Sequence, residues 1–189
     1  MCAACLAELE RPLRPERCPG TPFSGFWTGG PYGGPLGGLV RAAKFGPDET
    51  IARALARSVA ARFPPTAFSA IVPVPTTPWR WAQRGFHLPD LVAAAVSRST
   101  GSPLVPALRR LWGAAQSGRD DVARRASAGE LLRAIGVVSG PVLLVDDVLT
   151  TGATLDAAAN ELLAAGAAEV HGLVLASSGP PLRRAVGFS

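Results

Sequence analysis

Residues 142–155 read Val-Leu-Leu-Val-Asp-Asp-Val-Leu-Thr-Thr-Gly-Ala-Thr-Leu, and their reading decides the fold. Val142–Val145 is an unbroken apolar run, as expected of a strand buried on both faces of a parallel sheet. It delivers two adjacent carboxylates, Asp146 and Asp147, to the strand end. A turn of hydroxyls and glycine follows: Thr150, Thr151, Gly152, Ala153 and Thr154. A helix then opens near Thr154. Such a turn points backbone N–H groups and hydroxyls at one spot, and the positive helix end favours an anion there. Gly152 has no Cβ and lets the backbone come close. The acid pair suits sugar hydroxyls, so the run reads as a sugar-phosphate site with Asp146 and Asp147 as its candidate catalytic residues. Each piece alone has a plainer reading as a buried strand, a cap or a turn; their uninterrupted order carries the information. The run lacks the Gly-Lys-Ser/Thr ending of a nucleoside-triphosphate loop. It also lacks the G-x-G-x-x-G of a dinucleotide site.

Working outward, residues 155–165 form the next helix, with Leu155, Leu162 and Leu163 buried and Gly166 ending it. Val170–Ala176 is a further strand. Upstream, residues 69–74 read as the first strand of the main sheet, with Pro73 near its end because proline cannot donate to a ladder. Pro75, Thr76 and Thr77 then leave the strand's carboxyl end, where open α/β sheets bind ligands. They are candidates for a pyrophosphate, and equally a stiff turn. Residues 50–63 read as an amphipathic helix with Ile51, Leu55, Val59 and Phe63 inward and Arg53, Arg57 and Arg62 on other faces. Leu91, Val92, Ala95 and Val96 mark another helix, ending near Ser99 and capped by Gly101. Strands alternating with helices imply a parallel α/β sheet.

Between these lie three irregular segments. Residues 25–38 are rich in glycine and proline, but Phe26, Trp27 and Tyr32 argue for a packed hairpin or turn over a linker. Residues 79–87, Trp-Arg-Trp-Ala-Gln-Arg-Gly-Phe-His, mix cations with aromatics in a way that suits single-stranded nucleic acid. The same tryptophans would serve as core or interface packing. Residues 103–130 are arginine-rich and weakly periodic, and read as a mobile loop that could close over a substrate.

The chain has 189 residues, a net charge of +5 and a sequence pI near 10.0. Its length fits one domain with a small appendage. The basic balance favours polyanions such as DNA, although an arginine-for-lysine bias accounts for much of it. Lys44 is the only lysine, standing out where arginine is otherwise used; an ordinary solvated lysine is the alternative. No window approaches the apolar length that spans a bilayer, and the N-terminus lacks a signal-peptide core. The expectation is a soluble, cytoplasmic protein without membrane insertion. Cys2, Cys5 and Cys18 are the only 3 cysteines. Cys2-Ala3-Ala4-Cys5 has zinc-knuckle spacing, but a closed site wants four ligands, so less than one zinc per chain is expected.

Residues 142–155 resemble the phosphoribosyl-pyrophosphate motif of type I phosphoribosyltransferases. The chain more narrowly resembles the ComF family of competence-associated, phosphoribosyltransferase-like proteins. The supporting blocks are Pro31-Tyr32-Gly33-Gly34-Pro35-Leu36 with Lys44-Phe45-Gly46, and Val72-Pro73-Val74-Pro75 with Arg84-Gly85-Phe86. Gln116 and Arg124 stand where that family has a loop Gln and Arg. Departures are His87 and Leu88 in place of Asn-Gln, Ser127 near an expected asparagine, and Gly20 and Thr21 near an expected cysteine.

The resemblance implies a type I phosphoribosyltransferase fold over residues 25–189. This is a parallel twisted sheet flanked by helices, with a flexible hood loop. Residues 1–24 would be a Cys-containing appendage. It implies 5-phosphoribosyl 1-pyrophosphate with Mg²⁺ as ligand. Asp146 and Asp147 would hold the ribose hydroxyls, directly or through metal and water. Thr150, Thr151, Gly152, Ala153 and Thr154 would hold the 5-phosphate, and Pro75, Thr76 and Thr77 the pyrophosphate. Single-stranded DNA and other DNA-uptake proteins are the implied partners, with a role in natural transformation. The competing functions are an active phosphoribosyltransferase of nucleotide salvage and a regulator that senses the sugar pyrophosphate. No segment reads as a base-recognition loop.

Overall fold

The computed structural model describes residues 10–46, 49–111 and 132–179, except for the side chains of residues 78, 80 and 84. In chain order the elements are β1 (Phe23–Thr28), α1 (Pro35–Phe45), α2 (Glu49–Arg62), β2 (Ala70–Pro73), α3 (Pro78–Arg84) and α4 (Leu88–Thr100). They continue with β3 (Leu108–Arg110), β4 (Leu132–Ala134), β5 (Gly140–Leu149), α5 (Ala153–Ala164) and β6 (Ala167–Ser177).

β5 forms where the apolar run predicts it. Val142, Leu143, Leu144 and Val145 are all fully buried. It lies inside a four-stranded sheet of order β1-β6-β5-β2, and its pairings with β2 and β6 are parallel. Alternation divides the core. Leu143, Val145, Leu173 and Leu175 face the layer of α1, α2 and α4. Val142, Leu144, Val170 and Val174 face α5 and the small β3–β4 ladder. Gly172 is required in β6 because a Cβ there would lie 2.3 Å from the Phe26 ring.

Helices α2, α4 and α5 match their expected spans closely, whereas α3 forms where an irregular segment was expected. α4 ends where Gly101, at φ 72, donates its N–H to the Ser97 carbonyl. β2 ends on Pro73 as expected. Three expectations are corrected. Residues 25–38 do not form a hairpin, since β1 pairs in parallel with β6 and buries Phe26 and Trp27; the alternative, a turn, does form, where the Gly34 N–H donates to the Pro31 carbonyl at 3.0 Å. Glycine content hid the strand, which begins at Phe23 and so straddles residues 24 and 25. Residues 103–111 are not wholly loop. Leu104 runs parallel beside Ile71, and β3 pairs antiparallel with β4; the remaining loop residues, Gln116, Arg124 and Ser127 among them, lie outside the described set. Finally, Arg62 is not on an open face: it is buried, beneath the segment that carries Leu13, whose N–H donates to the Arg62 carbonyl at 3.0 Å.

Candidate functional site

The site gathers at the carboxyl edge of the sheet. Strand alternation sends adjacent residues to opposite faces, so Asp146 and Asp147 acquire different surroundings. Asp147 meets Lys44 from the last turn of α1, with Nζ 2.8 Å from Oδ1. Both side chains are largely buried, so Lys44 is an internal partner and not a solvated surface lysine. Asp146 Oδ1 accepts the Asp147 N–H at 2.8 Å. Burial, followed by the neighbouring Asp147 charge, pushes the Asp146 carboxyl up to about 7; the backbone hydrogen bond, Lys44 and Arg110 oppose that rise. Burial, more than the neighbouring charge, sets the direction of that shift.

Asp146 and Asp147 line a cleft of ≈ 340 Å³ with Lys44, Pro75, Thr76, His87, Arg110 and Thr154. The chain after β2 forms one wall. Arg110 holds it there, since Nε and Nη2 both donate to the Pro75 carbonyl, at 3.1 and 2.8 Å. This anchor depends on β3, which arginine-rich composition had concealed. His87 sits at the start of α4 with Nδ1 3.0 Å from Asp90 Oδ1. Thr77 is not among the described lining residues; its carbonyl accepts the Trp81 N–H at 3.0 Å.

Thr150, Thr151, Gly152, Ala153 and Thr154 wrap a smaller pocket of ≈ 50 Å³, with Asp146 at its side. Gly152 takes φ 81 as the residue preceding α5, a left-handed conformation that glycine adopts without strain. The first-turn N–H groups of α5 lack intrahelical acceptors and give the pocket an anion-binding end. Asp146 and Thr154 line both spaces, so cleft and pocket form one continuous surface.

Among the described residues no cluster of three or more His, Cys, Asp or Glu side chains could hold a metal. Two adjacent carboxylates on one cleft still fit a hard cation that takes its other ligands from phosphates and water, as Mg²⁺ does. Cys18 is buried, and burial, then Glu16 and Asp156, raise its thiol pKa; Cys2 and Cys5 lie outside the described residues. Trp79 and Trp81 are exposed to 72% and 54%, which excludes the core reading for both. Among the described residues no helix is long and apolar enough to cross a membrane.

The parallel sheet, its flanking helices and a match of residues 116–184 to the phosphoribosyl transferase domain family define the type I phosphoribosyltransferase α/β fold. The chain is similar to an adenine phosphoribosyltransferase of Frankia casuarinae, 45% identical over 95 residues; the match covers 49% of this chain and 47% of that protein. Among solved structures it is similar to the glutamine phosphoribosylpyrophosphate amidotransferase of B. subtilis, at 24% identity and a TM-score of 0.47, covering 69% of this chain and 26% of that one. It is also similar to the orotate phosphoribosyltransferase of Aeropyrum pernix, at 24% identity and a TM-score of 0.41, covering 71% and 64%.

Proposed function

We propose that the protein binds 5-phosphoribosyl 1-pyrophosphate with Mg²⁺ across the cleft and its adjoining pocket. It would act as a cytoplasmic, ComF-like protein in DNA uptake. The observation that carries the ligand is the continuity of the acid pair with the Thr150–Thr154 pocket at the start of α5. Asp146 and Asp147 face the ribose hydroxyls, Thr150–Thr154 take the 5-phosphate, and Pro75 to Thr77 flank the pyrophosphate. Mg²⁺ would sit between the acid pair and the phosphates, where it offsets negative charge on a leaving pyrophosphate. The support for single-stranded DNA is the pair of exposed indoles on α3. Residues two apart on a helix do not share a face, so the rings would stack separate bases. Residues 1–24 are proposed as an appendage to the domain at 25–189, with zinc below one per chain.

A second reading, transfer of the phosphoribosyl group to a small acceptor, is favoured by the relative named as an adenine phosphoribosyltransferase. Calorimetric titration with the sugar pyrophosphate, with and without Mg²⁺, tests the ligand. Titration with single-stranded DNA in the presence and absence of that ligand tests the partner. No heat with the sugar pyrophosphate would reject the site. DNA binding no tighter for single strands than for duplex would reject the partner.

A further inference from the structure

The wall after β2 and the helix α5 are joined by more than the sheet. The wall leaves the sheet at Val74, whose N–H still donates to the Val145 carbonyl at 2.9 Å. One residue further, the Pro75 carbonyl accepts from both Nε and Nη2 of Arg110, at 3.1 and 2.8 Å. A rigid planar fork on one carbonyl fixes its direction as well as its distance. Strand alternation puts Leu108 and Arg110 on one face of β3. Leu108 is buried in the core there, and Arg110 reaches the wall.

β3 is held in turn from its other edge. It pairs antiparallel with β4, Leu108 opposite Ala134 and Arg110 opposite Leu132. The Ala134 N–H donates to Oε2 of Glu161 on α5 at 3.3 Å, and Arg133 pairs with Oε1 of the same carboxylate. Leu132 is buried in the cluster that holds Leu155, Ala158 and Leu162 of α5. Glu161 lies roughly 12 Å along the helix axis from Ala153, and it lines neither the cleft nor the Thr150–Thr154 pocket. A continuous path therefore runs from α5, whose first turn borders the small pocket, through Glu161, β4, β3 and Arg110 to the Pro75 wall of the cleft.

We propose that the β3–β4 ladder is a spacer that sets the separation between the Thr150–Thr154 pocket and the Pro75–Thr77 wall, with Arg110 and Glu161 as positioning residues. The spacer rests on the ligand reading above, and it favours a ligand with a phosphate at one end and a pyrophosphate at the other over either half alone. Two subsites held at a fixed separation need little ordering when such a ligand binds, and that gain appears as affinity. A wall free to drift loses the gain first in the half of the ligand it flanks. Glu161 acts through Arg110 and not on the ligand.

The test titrates ribose 5-phosphate, inorganic pyrophosphate and 5-phosphoribosyl 1-pyrophosphate into the full chain with Mg²⁺. Arg110→Lys keeps a cation in the cleft but loses the two-point hold. It should weaken pyrophosphate and the whole ligand by about tenfold and leave ribose 5-phosphate within about twofold of wild type. Glu161→Ala should weaken the same two probes by about threefold, the scale of a partly exposed pair. The double variant should stay close to Arg110→Lys alone, because both changes cut one path. Amide exchange at Thr76 and Thr77 should quicken in both single variants without any ligand. The Asp156 amide, bonded to the Gly152 carbonyl, should keep its protection. Full pyrophosphate affinity in Arg110→Lys, no effect of Glu161→Ala, equal loss of ribose 5-phosphate, or losses that simply multiply in the double variant would each overturn the proposal. Should Arg110→Lys fail to fold, Glu161→Ala decides by the same titrations and exchange. If none of the three probes binds the wild type, the ligand reading fails separately, and the exchange at Thr76 and Thr77 decides the spacer by itself.

Discussion

The two flanks of the sheet edge carry opposite chemistry. On the β2 flank two carboxylates stand side by side, with Lys44 on one of them and Arg110 committed to the Pro75 carbonyl. On the β1 flank guanidiniums predominate between apolar walls. The shared sheet edge does not cause this difference; the covering segments do. The C-terminal turn of α1 and strand β3 furnish the first flank, whereas the segment around Leu13 and the last residue of α2 furnish the second. A sugar pyrophosphate with its metal suits the first flank.

The largest effect should come from damage to what both flanks share. Leu144 is fully buried, and Leu144→Ala should cost about 2–5 kcal/mol in a denaturant melt. Titration with the sugar pyrophosphate should weaken with it; a melt unchanged by the substitution would break the idea of a common core beneath the edge. Gly152→Val should be more selective. A β-branched residue at φ 81 carries strain on the order of 1–3 kcal/mol, and sugar pyrophosphate affinity should fall. Unchanged affinity in the folded variant would detach the turn from the site. Lys44→Met should cost on the order of 1 kcal/mol, near the upper end for exposed pairs because this one is partly buried. A melt unchanged by that substitution would remove Lys44 from the account.

A pH series sharpens the same contrast. With Asp146 held up to about 7 from the ordinary 3.8, the folded protein keeps a proton that the unfolded chain has already lost between those values. Folding stability should therefore fall as pH rises from about 4 to 7, and Asp146→Asn should flatten that slope. Binding of the Mg²⁺ complex, which calls on the ionised pair, should strengthen across the upper part of the window. The smallest effect belongs to Trp79→Ala: so exposed a side chain should change stability by no more than about 0.5 kcal/mol, and a larger loss would place it in packing.

How much was legible follows from distance along the chain. The Asp146–Thr154 run declared strand, acid pair and turn because all its parts are consecutive. Helices α2, α4 and α5 were legible from their apolar positions and stop signals, whereas α3 was not, because its tryptophans and arginines show no apolar face. β3 was not, because three residues leave no pattern and their partner, Leu132–Ala134, lies far downstream. Arg62 read as a solvent-facing helix arginine, and only the chain around Leu13 folding over it makes it internal. Lys44 was conspicuous as the only lysine, yet its partner Asp147 is remote in sequence. Trp79 and Trp81 could be read as core or as surface until α3 placed them on an exposed helix.

The most direct test of the central claim is a calorimetric titration of Mg²⁺ and 5-phosphoribosyl 1-pyrophosphate into wild type and Asp147→Ala at pH 8. The account predicts one site per chain in the wild type. In the variant it predicts a loss of at least about tenfold in affinity, roughly 1.4 kcal/mol, with the protein still folded. Equal affinity in the two proteins would contradict it.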